Sequence, residues 1–304
     1  MRTMYVPFID LRPDFELFAK LDDVYLSVID SGTYIRGRFV VEFEEAWASY
    51  VGTEYCVGVG SGTEALHLLL RRYSKETIHV PRNSKPTLDA LLKFGYTIKL
   101  EDVGEDFLLH SSSGRVSVPV HLYGNPVDMN NFTDGVVIED ACQAHGSVWN
   151  GRKCGSVGIA AAWSFYPTKN LGAYGDAGAI TTNNESIAEE VRLLGRMDPL
   201  QAAFLTVKLP YLDSWNSVRK EIAYTYLEKL HGVRKPPIFP GSNWHLFVIR
   251  HHDRSKLQAR LIKEGVETVV HYLGDSEVLS LPCNPWMTTK QVEHVIRSVN
   301  KCAS

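Results

Sequence analysis

Val57-Gly-Val-Gly-Ser-Gly-Thr-Glu-Ala-Leu-His67 is the stretch that decides the fold class. A β-rich run from Tyr55 to Val59 meets small residues and then turns into a helical pattern. That alternation continues to about residue 185, which is the signature of a mostly parallel sheet covered by helices. The other runs that read as strands are Ile78 to Pro81, Tyr96 to Leu100, Val116 to Val120, Val136 to Glu139, Ala161 to Ser164 and Ala179 to Thr181. Together they predict an α/β protein built on a seven-stranded sheet.

After about Leu200 the texture changes. Trp215, Val218, Ile222, Tyr226 and Leu230 recur at three- and four-residue steps before Gly232, so an amphipathic helix with a glycine stop is expected. Pro236, Pro237 and Pro240 follow. Trp244 to Arg250 then reads as a strand, Asp253 to Glu264 as a helix capped by Asp253 and ended by Gly265, and Val266 to Val270 as a further strand. A last helix opens with Thr288 and Gln291 at capping-box spacing. At 304 residues the chain exceeds the usual single-domain size. The expected division is a large domain over 1–205 and a smaller C-terminal α/β domain over 206–304, with a ligand in the cleft between them.

The 32 basic and 35 acidic residues form no long run of one sign, which argues against nucleic-acid binding through a broad basic face. An anionic ligand therefore needs a local site. Cys56, Cys142, Cys154, Cys283 and Cys302 make no C-x-x-C pair and leave one over, so free thiols are expected rather than a disulfide framework or a zinc site. The first thirteen residues hold no apolar core of signal-peptide length, and no stretch reaches the ~18 apolar residues of a membrane span. A cytoplasmic protein is the expectation.

Three segments could build a ligand site. At Ser61, Gly62 and Thr63 a strand enters a helix through small residues, which points free N–H groups and the positive end of the helix dipole at an anion such as phosphate. A glycine-rich tight turn explains the same residues equally well. A dinucleotide fingerprint starting at Gly58 fails, because Thr63 stands where glycine is required. In Val136-Val-Ile-Glu-Asp-Ala-Cys-Gln-Ala-His-Gly146, Asp140 sits at the carboxyl end of a strand, where open α/β sheets meet their ligands. There it suits a protonated ring nitrogen, although a helix cap is the commoner use of such a residue; His145 reads as structural. In Ala162-Trp-Ser-Phe-Tyr-Pro-Thr-Lys-Asn-Leu-Gly-Ala-Tyr-Gly-Asp-Ala-Gly178, Lys169 enters a glycine-rich loop from an aromatic strand. Dry aromatic surroundings ease loss of the lysine's proton and attack on an aldehyde, and they weaken the alternative of a solvated surface lysine.

These residues closely resemble the DegT/DnrJ/StrS family of sugar aminotransferases. The matching stretches are Val6-Pro-Phe-Ile-Asp-Leu-Arg12, Ser31-Gly-Thr-Tyr-Ile-Arg-Gly37, Gly60-Ser-Gly-Thr-Glu-Ala-Leu66, Pro119-Val-His-Leu-Tyr-Gly-Asn-Pro126, Glu139-Asp-Ala-Cys-Gln-Ala-His-Gly146 and Ser164-Phe-Tyr-Pro-Thr-Lys-Asn-Leu-Gly172. The resemblance implies the aspartate-aminotransferase-like fold type I and pyridoxal 5'-phosphate (PLP) as cofactor. It implies that Lys169 holds PLP as a Schiff base, that Asp140 pairs with the pyridine nitrogen and Gln143 with the ring hydroxyl oxygen, and that Gly62, Thr63 and Ser164 hold the phosphate. Gln143 and Ser164 rest on the resemblance alone. The implied reaction moves an amino group from glutamate to a nucleotide-linked keto-deoxysugar, with the 3-keto branch favoured over the 4-keto, in a homodimer whose sites are shared and across which Tyr34 to Gly37 reach.

The chain departs from the family's pattern in four places. The connection from Glu101 to Val116 is brief, Leu193-Leu-Gly-Arg196 lacks the loop that carries an asparagine toward the partner subunit's phosphate, and the 271–278 stretch omits a substrate-side insertion. Lys85 stands where the family places an aromatic residue to stack on the ring. These losses leave two other readings: a PLP-fold binding or regulatory protein that no longer transaminates, and a PLP-dependent sugar dehydratase. Lys169 speaks against the dehydratase, in which histidine replaces that lysine.

Overall fold

Seven strands pair in one sheet in the computed structural model, which describes residues 4–132, 134–272 and 276–303. They are β1 (Tyr55–Val59), β2 (Ile78–Pro81), β3 (Ile98–Glu101), β4 (Val116–Ser117), β5 (Val136–Asp140), β6 (Ala160–Ser164) and β7 (Gly178–Thr182), in the spatial order β1-β7-β6-β5-β4-β2-β3. β7 runs antiparallel to both its neighbours, and the other pairs are parallel. β5, β6 and β7 are buried almost throughout, as strands covered on both faces must be. Val57, Leu66, Leu69, Ile78, Val80, Ile138 and Ile180 fill one face; Phe43, Trp47, Trp163, Phe165, Leu171 and Leu205 fill the other.

Two of the strands expected in this sheet are trimmed at an end for local reasons, and the later run expected from Trp244 pairs only from Phe247. The run beginning at Tyr96 pairs only from Ile98, because Gly95, with φ of 75°, and Tyr96 are used in closing the preceding helix, their N–H groups donating to Leu92 O and Leu91 O. The run from Val116 leaves the ladder after Ser117, since Pro119 has no N–H to give; Val120 returns as an isolated bridge to Asp140.

The second part of the chain holds α7 (Leu212–Lys229), β8 (Phe247–Arg250), α8 (Arg254–Lys263), β9 (Val278–Leu281) and α9 (Thr289–Cys302). Asp253 caps α8 by accepting from Lys256 N at 3.2 Å, and Thr288 and Gln291 form the expected capping box. The strand expected over Val266 to Val270 is not formed. Val266 bridges Val6 on one side and Val269 bridges Ser280 on another, so the segment's pairing is split between two partners, and β9 instead joins β8 as an antiparallel pair. A separate core gathers Ile222, Tyr226, Phe247, Leu261, Leu279 and Val299 around Val6 from the N-terminus. Among the described residues no helix is long and apolar enough to cross a membrane.

Candidate functional site

The carboxyl ends of β1, β5 and β6 open on a cavity of about 340 Å³. Gly62, Thr63, Asp140, Gln143, Ser164 and Lys169 all line it. His245, His271 and Tyr272 close it from the second part of the chain.

The turn after β1 is built for an anion. Ser61 Oγ caps α3 (Gly62–Leu70) by accepting from Glu64 N at 3.1 Å, while Glu64 Oε2 accepts from Gly60 N at 2.6 Å. The first N–H groups of the helix, at Gly62 and Thr63, have no acceptor within the helix, and both residues line the cavity. Gly62 is required for closeness: a Cβ there would lie 2.7 Å from Cys142 Sγ and 2.8 Å from Ser164 Cβ. Its missing side chain lets three segments converge.

Asp140 is 4% exposed and ends β5. Its Oδ2 accepts from Thr87 Oγ1 at 2.6 Å and its Oδ1 from Cys142 N at 3.2 Å. No helix follows it, so the helix-cap alternative falls away; the carboxylate closes a turn and faces the ligand space. Just before it, the fully buried Glu139 accepts from the backbone N–H groups of Gly155, Val157 and Gly158 at 2.7, 2.8 and 2.7 Å and from His121 Nε2 at 2.9 Å. His121 must carry its proton on Nε2, because its Nδ1 accepts from Val127 N. Gln143 is oriented the same way: Tyr123 N donates to its Oε1 at 2.6 Å, which leaves the amide nitrogen to meet the Tyr272 hydroxyl.

Lys169 is half-buried, and its ammonium makes no hydrogen bond to any described residue. Burial pulls its pKa below the ordinary lysine value, with Cys142 and Asp140 pulling the other way. The surrounding imidazoles stay neutral. Burial and the Lys169 charge hold His145 at about 3 and His271 at about 4 and push His245 well down. His145 is fully buried against Trp47, Trp163 and Phe165, with ring centroids 5.4 to 5.7 Å apart.

Lys85 does not stand over the cavity. It opens α4 (Lys85–Lys93), and its ammonium pairs with Asp89 one turn on at 2.6 Å, in solvent. Ser84, Pro86 and Thr87 form that wall instead. Sequence reasoning also missed Thr87, Tyr272 and His245. Thr87 had a signal, lying just past the carboxyl end of a parallel strand, and His245 had one in heading a stretch, His245-Leu-Phe-Val-Ile249, that resembles the family; Tyr272 had none.

An open, mostly parallel sheet with its cavity at the strands' carboxyl ends and a second α/β part closing over it is the aspartate-aminotransferase-like architecture. The chain belongs to the DegT/DnrJ/EryC1/StrS aminotransferase family, whose profile matches residues 20–196 and 193–275. It is similar to the dTDP-3-amino-3,4,6-trideoxy-alpha-D-glucose transaminase of Streptomyces venezuelae, 33% identical over 380 residues that cover 99% of this chain and 97% of that one. A dTDP-3-amino-3,6-dideoxy-alpha-D-galactopyranose transaminase of Aneurinibacillus thermoaerophilus is 35% identical, with 97% and 99% covered. Among solved structures, DesV of S. venezuelae in complex with a ketimine intermediate has a TM-score of 0.93 at 33% identity, with 99% of each chain covered. An alignment of 380 residues against a chain of 304 means that the first relative carries segments this one lacks.

Proposed function

We propose that this aminotransferase uses PLP and carries an amino group from an amino-acid donor, glutamate, to a nucleotide-linked keto-deoxysugar, with the 3-keto position favoured. The observation that carries the reading is that Lys169, Asp140 and the Ser61 to Thr63 turn line one cavity. The names of the two transaminases, each for a dTDP-3-amino sugar, support the substrate class.

The residues present fit PLP, as the cradle kept open by Gly62 beside Ser164 and the carboxylate and unpartnered amine in one cavity require. Gly62, Thr63 and Ser164 would hold the phosphate, Asp140 the ring nitrogen, Gln143 the ring hydroxyl and Lys169 the aldehyde carbon. Bound PLP supplies an electron-withdrawing ring that carries the amino group between donor and acceptor. Asp140, its rotation fixed by Thr87, would set its carboxyl group against the ring nitrogen. Lys169 Nζ, with its lowered proton affinity, takes the α-proton from the donor and returns a proton on the acceptor's side. His245, His271 and Tyr272 bound the space for this exchange from the second part of the chain.

Three further parts belong to the proposal. Division into a large domain over 1–205 and a smaller one over 206–304 is supported by the separate core of the second part, to which Val6 contributes. A homodimer is supported by the exposed apolar side chains of Phe15, Phe18, Leu26 and Ile29 on α1 (Phe15–Ser31) and of Tyr34 and Ile35 beyond it. Five free cysteines suit a cytoplasmic setting.

Absorption spectroscopy tests the core of the reading. Purified protein mixed with PLP is expected to show the visible band of lysine-bound cofactor, to lose it in Lys169→Ala with the fold intact, and to convert to the amine form with glutamate alone. An unchanged band in the variant sinks the assignment. Turnover of nucleotide-linked 3-keto against 4-keto sugars then fixes the acceptor.

A further inference from the structure

We propose that His245 recognises a hydroxyl of the keto sugar, which donates a hydrogen bond to its Nε2 in the cavity of Lys169. The inference rests on the aminotransferase reading above and adds a residue that determines specificity.

A chain of hydrogen bonds decides which nitrogen of His245 is bare. Asn216 Nδ2 donates to the carbonyl oxygen of His145 at 2.8 Å, so its Oδ1 is the atom that accepts from Asn170 Nδ2, also at 2.8 Å. Asn170 Nδ2 donates as well to the carbonyl oxygen of Asn243 at 3.1 Å. With both protons of that amide engaged, Asn170 Oδ1 is left to meet His245 Nδ1 at 3.0 Å, and an amide oxygen can only accept. Nδ1 therefore carries the proton of the neutral ring, and Nε2 carries a lone pair. Burial and the charges of Lys169 and Arg219, followed by those of His145 and His271, keep the ring from taking a second proton.

That lone pair has no partner within the described protein. His245 is 7% exposed, and Nε2 makes no hydrogen bond to any described residue. An unpaired buried acceptor is unfavourable until a donor reaches it. The ring lines the cavity of Lys169 and Asp140 and also a neighbouring one of about 230 Å³ with Thr168 and His271. Its backbone is held firmly: His245 N donates to Asn243 Oδ1 at 2.9 Å, and Trp244 between them has a φ of 51°, which a bulky residue adopts only where its surroundings impose it. An asparagine could make the bond to Asn170; the bare Nε2 is what histidine adds.

A bare imidazole nitrogen cannot pair with a carboxylate or a keto oxygen, which also only accept. Of the groups the two substrates bring, it can take a hydroxyl or an ammonium. The Lys169 and Arg219 charges that keep the ring neutral also oppose a further cation, and a hydroxyl meets no such opposition. Glutamate has no hydroxyl; the sugar does.

The test uses PLP-loaded protein converted to its amine form with glutamate and then mixed with nucleotide-linked keto sugars, the returning visible band giving the rate. His245→Asn keeps a donor for Asn170 and loses the Nε2 lone pair. It is expected to slow the sugar step about tenfold more than the glutamate step. It is also expected to lose the wild type's preference for a sugar with both hydroxyls beside the keto carbon over analogues lacking one of them. A variant that slows both steps equally or neither, or the glutamate step more, overturns the proposal, as does a wild type without the preference or a variant that keeps it. A crystal of the wild type with the amino-sugar product gives a readout apart from rate and decides the matter if His245→Asn fails to fold. A sugar hydroxyl on Nε2 supports the inference, and a water or nothing there overturns it. In each of these failures the aminotransferase reading stands so long as glutamate converts the wild-type cofactor; a wild type that glutamate cannot convert sinks both.

Discussion

Thr87 Oγ1 donates to Asp140 Oδ2 at 2.6 Å, tying the first turn of α4 to the end of β5 across 53 positions of sequence. Because that proton goes to the carboxylate, Ser84 Oγ must be the donor in its own 2.6 Å contact with Thr87 Oγ1. The relay fixes the rotation of the Asp140 carboxyl group.

Thr87→Val keeps the shape and removes the donor. A hydrogen bond to a charged group contributes about 1.5–3 kcal/mol, so PLP affinity is expected to fall about tenfold or more, while Thr87→Ser retains most of it. Titration of cofactor-free protein with PLP, read by fluorescence or absorbance, checks this. Equal affinity in Thr87→Val removes Thr87 from the cofactor's support.

Local chemistry made the strands legible, as at Tyr55 to Val59 and Ile78 to Pro81, where apolar runs end at turn residues. It likewise marked the helix caps at Asp253 and Thr288. What it could not carry was long-range pairing. Val266 to Val270 has the composition of a strand but is divided between Val6 and Ser280, partners that no window of sequence brings together. Gln143 was named for its ring contact, yet its orientation comes from Tyr123 and Tyr272, 20 and 129 positions away. Lys85 was misjudged for a simpler reason. Once α4 is seen to begin at Lys85, Asp89 is its neighbour one turn on, and the ammonium turns outward.

Lys169 opposes stability as it serves the site. Burial lowers its folded pKa below the unfolded value near 10.5, so the unfolded chain binds the proton more tightly. Its destabilising contribution is therefore present below the folded pKa and fades as pH rises toward the unfolded one. Lys169→Met is expected to raise the melting temperature of cofactor-free protein at pH 7, by an amount that shrinks toward pH 10. A gap that widens with pH contradicts the burial argument.

Gly62→Ala tests the convergence of three segments. The new Cβ meets Cys142 Sγ at 2.7 Å and Ser164 Cβ at 2.8 Å, and neither the end of α3 nor β6 can retreat without disturbing the sheet. Overpacking of this kind costs about 1–3 kcal/mol. Denaturant unfolding is expected to show that loss, and PLP titration a larger one, since the phosphate-facing N–H groups would be displaced. Unaltered PLP binding would remove the turn from the phosphate site.

Glu139→Gln reaches the site through the backbone. Glu139 accepts from three N–H groups of the 155–158 turn and from His121, with no solvent to help. Burial alone would raise its pKa; the hydrogen bonds from His121 and from the backbone N–H groups outweigh that and leave it below the ordinary carboxylate value. Glutamine is nearly the same shape, but its NH₂ must face donors, so one side of the cradle loses its acceptor. Breaking such a buried set costs about 3–5 kcal/mol. A depressed carboxylate stabilises above its unfolded pKa of about 4.5, and that contribution is lost as pH falls through the folded value. The wild type is therefore expected to be more stable than the variant at pH 7 by about that amount, with the difference narrowing on acidification below pH 4.5. Because Asp140 is the next residue along β5, the variant should also bind PLP more weakly at pH 7 even where it is fully folded. Unfolding curves at pH 7 and pH 4, with PLP titration of the folded variant, separate the two effects. A variant as stable as the wild type would mean that Glu139 is protonated in the folded protein and that the turn is held by other bonds.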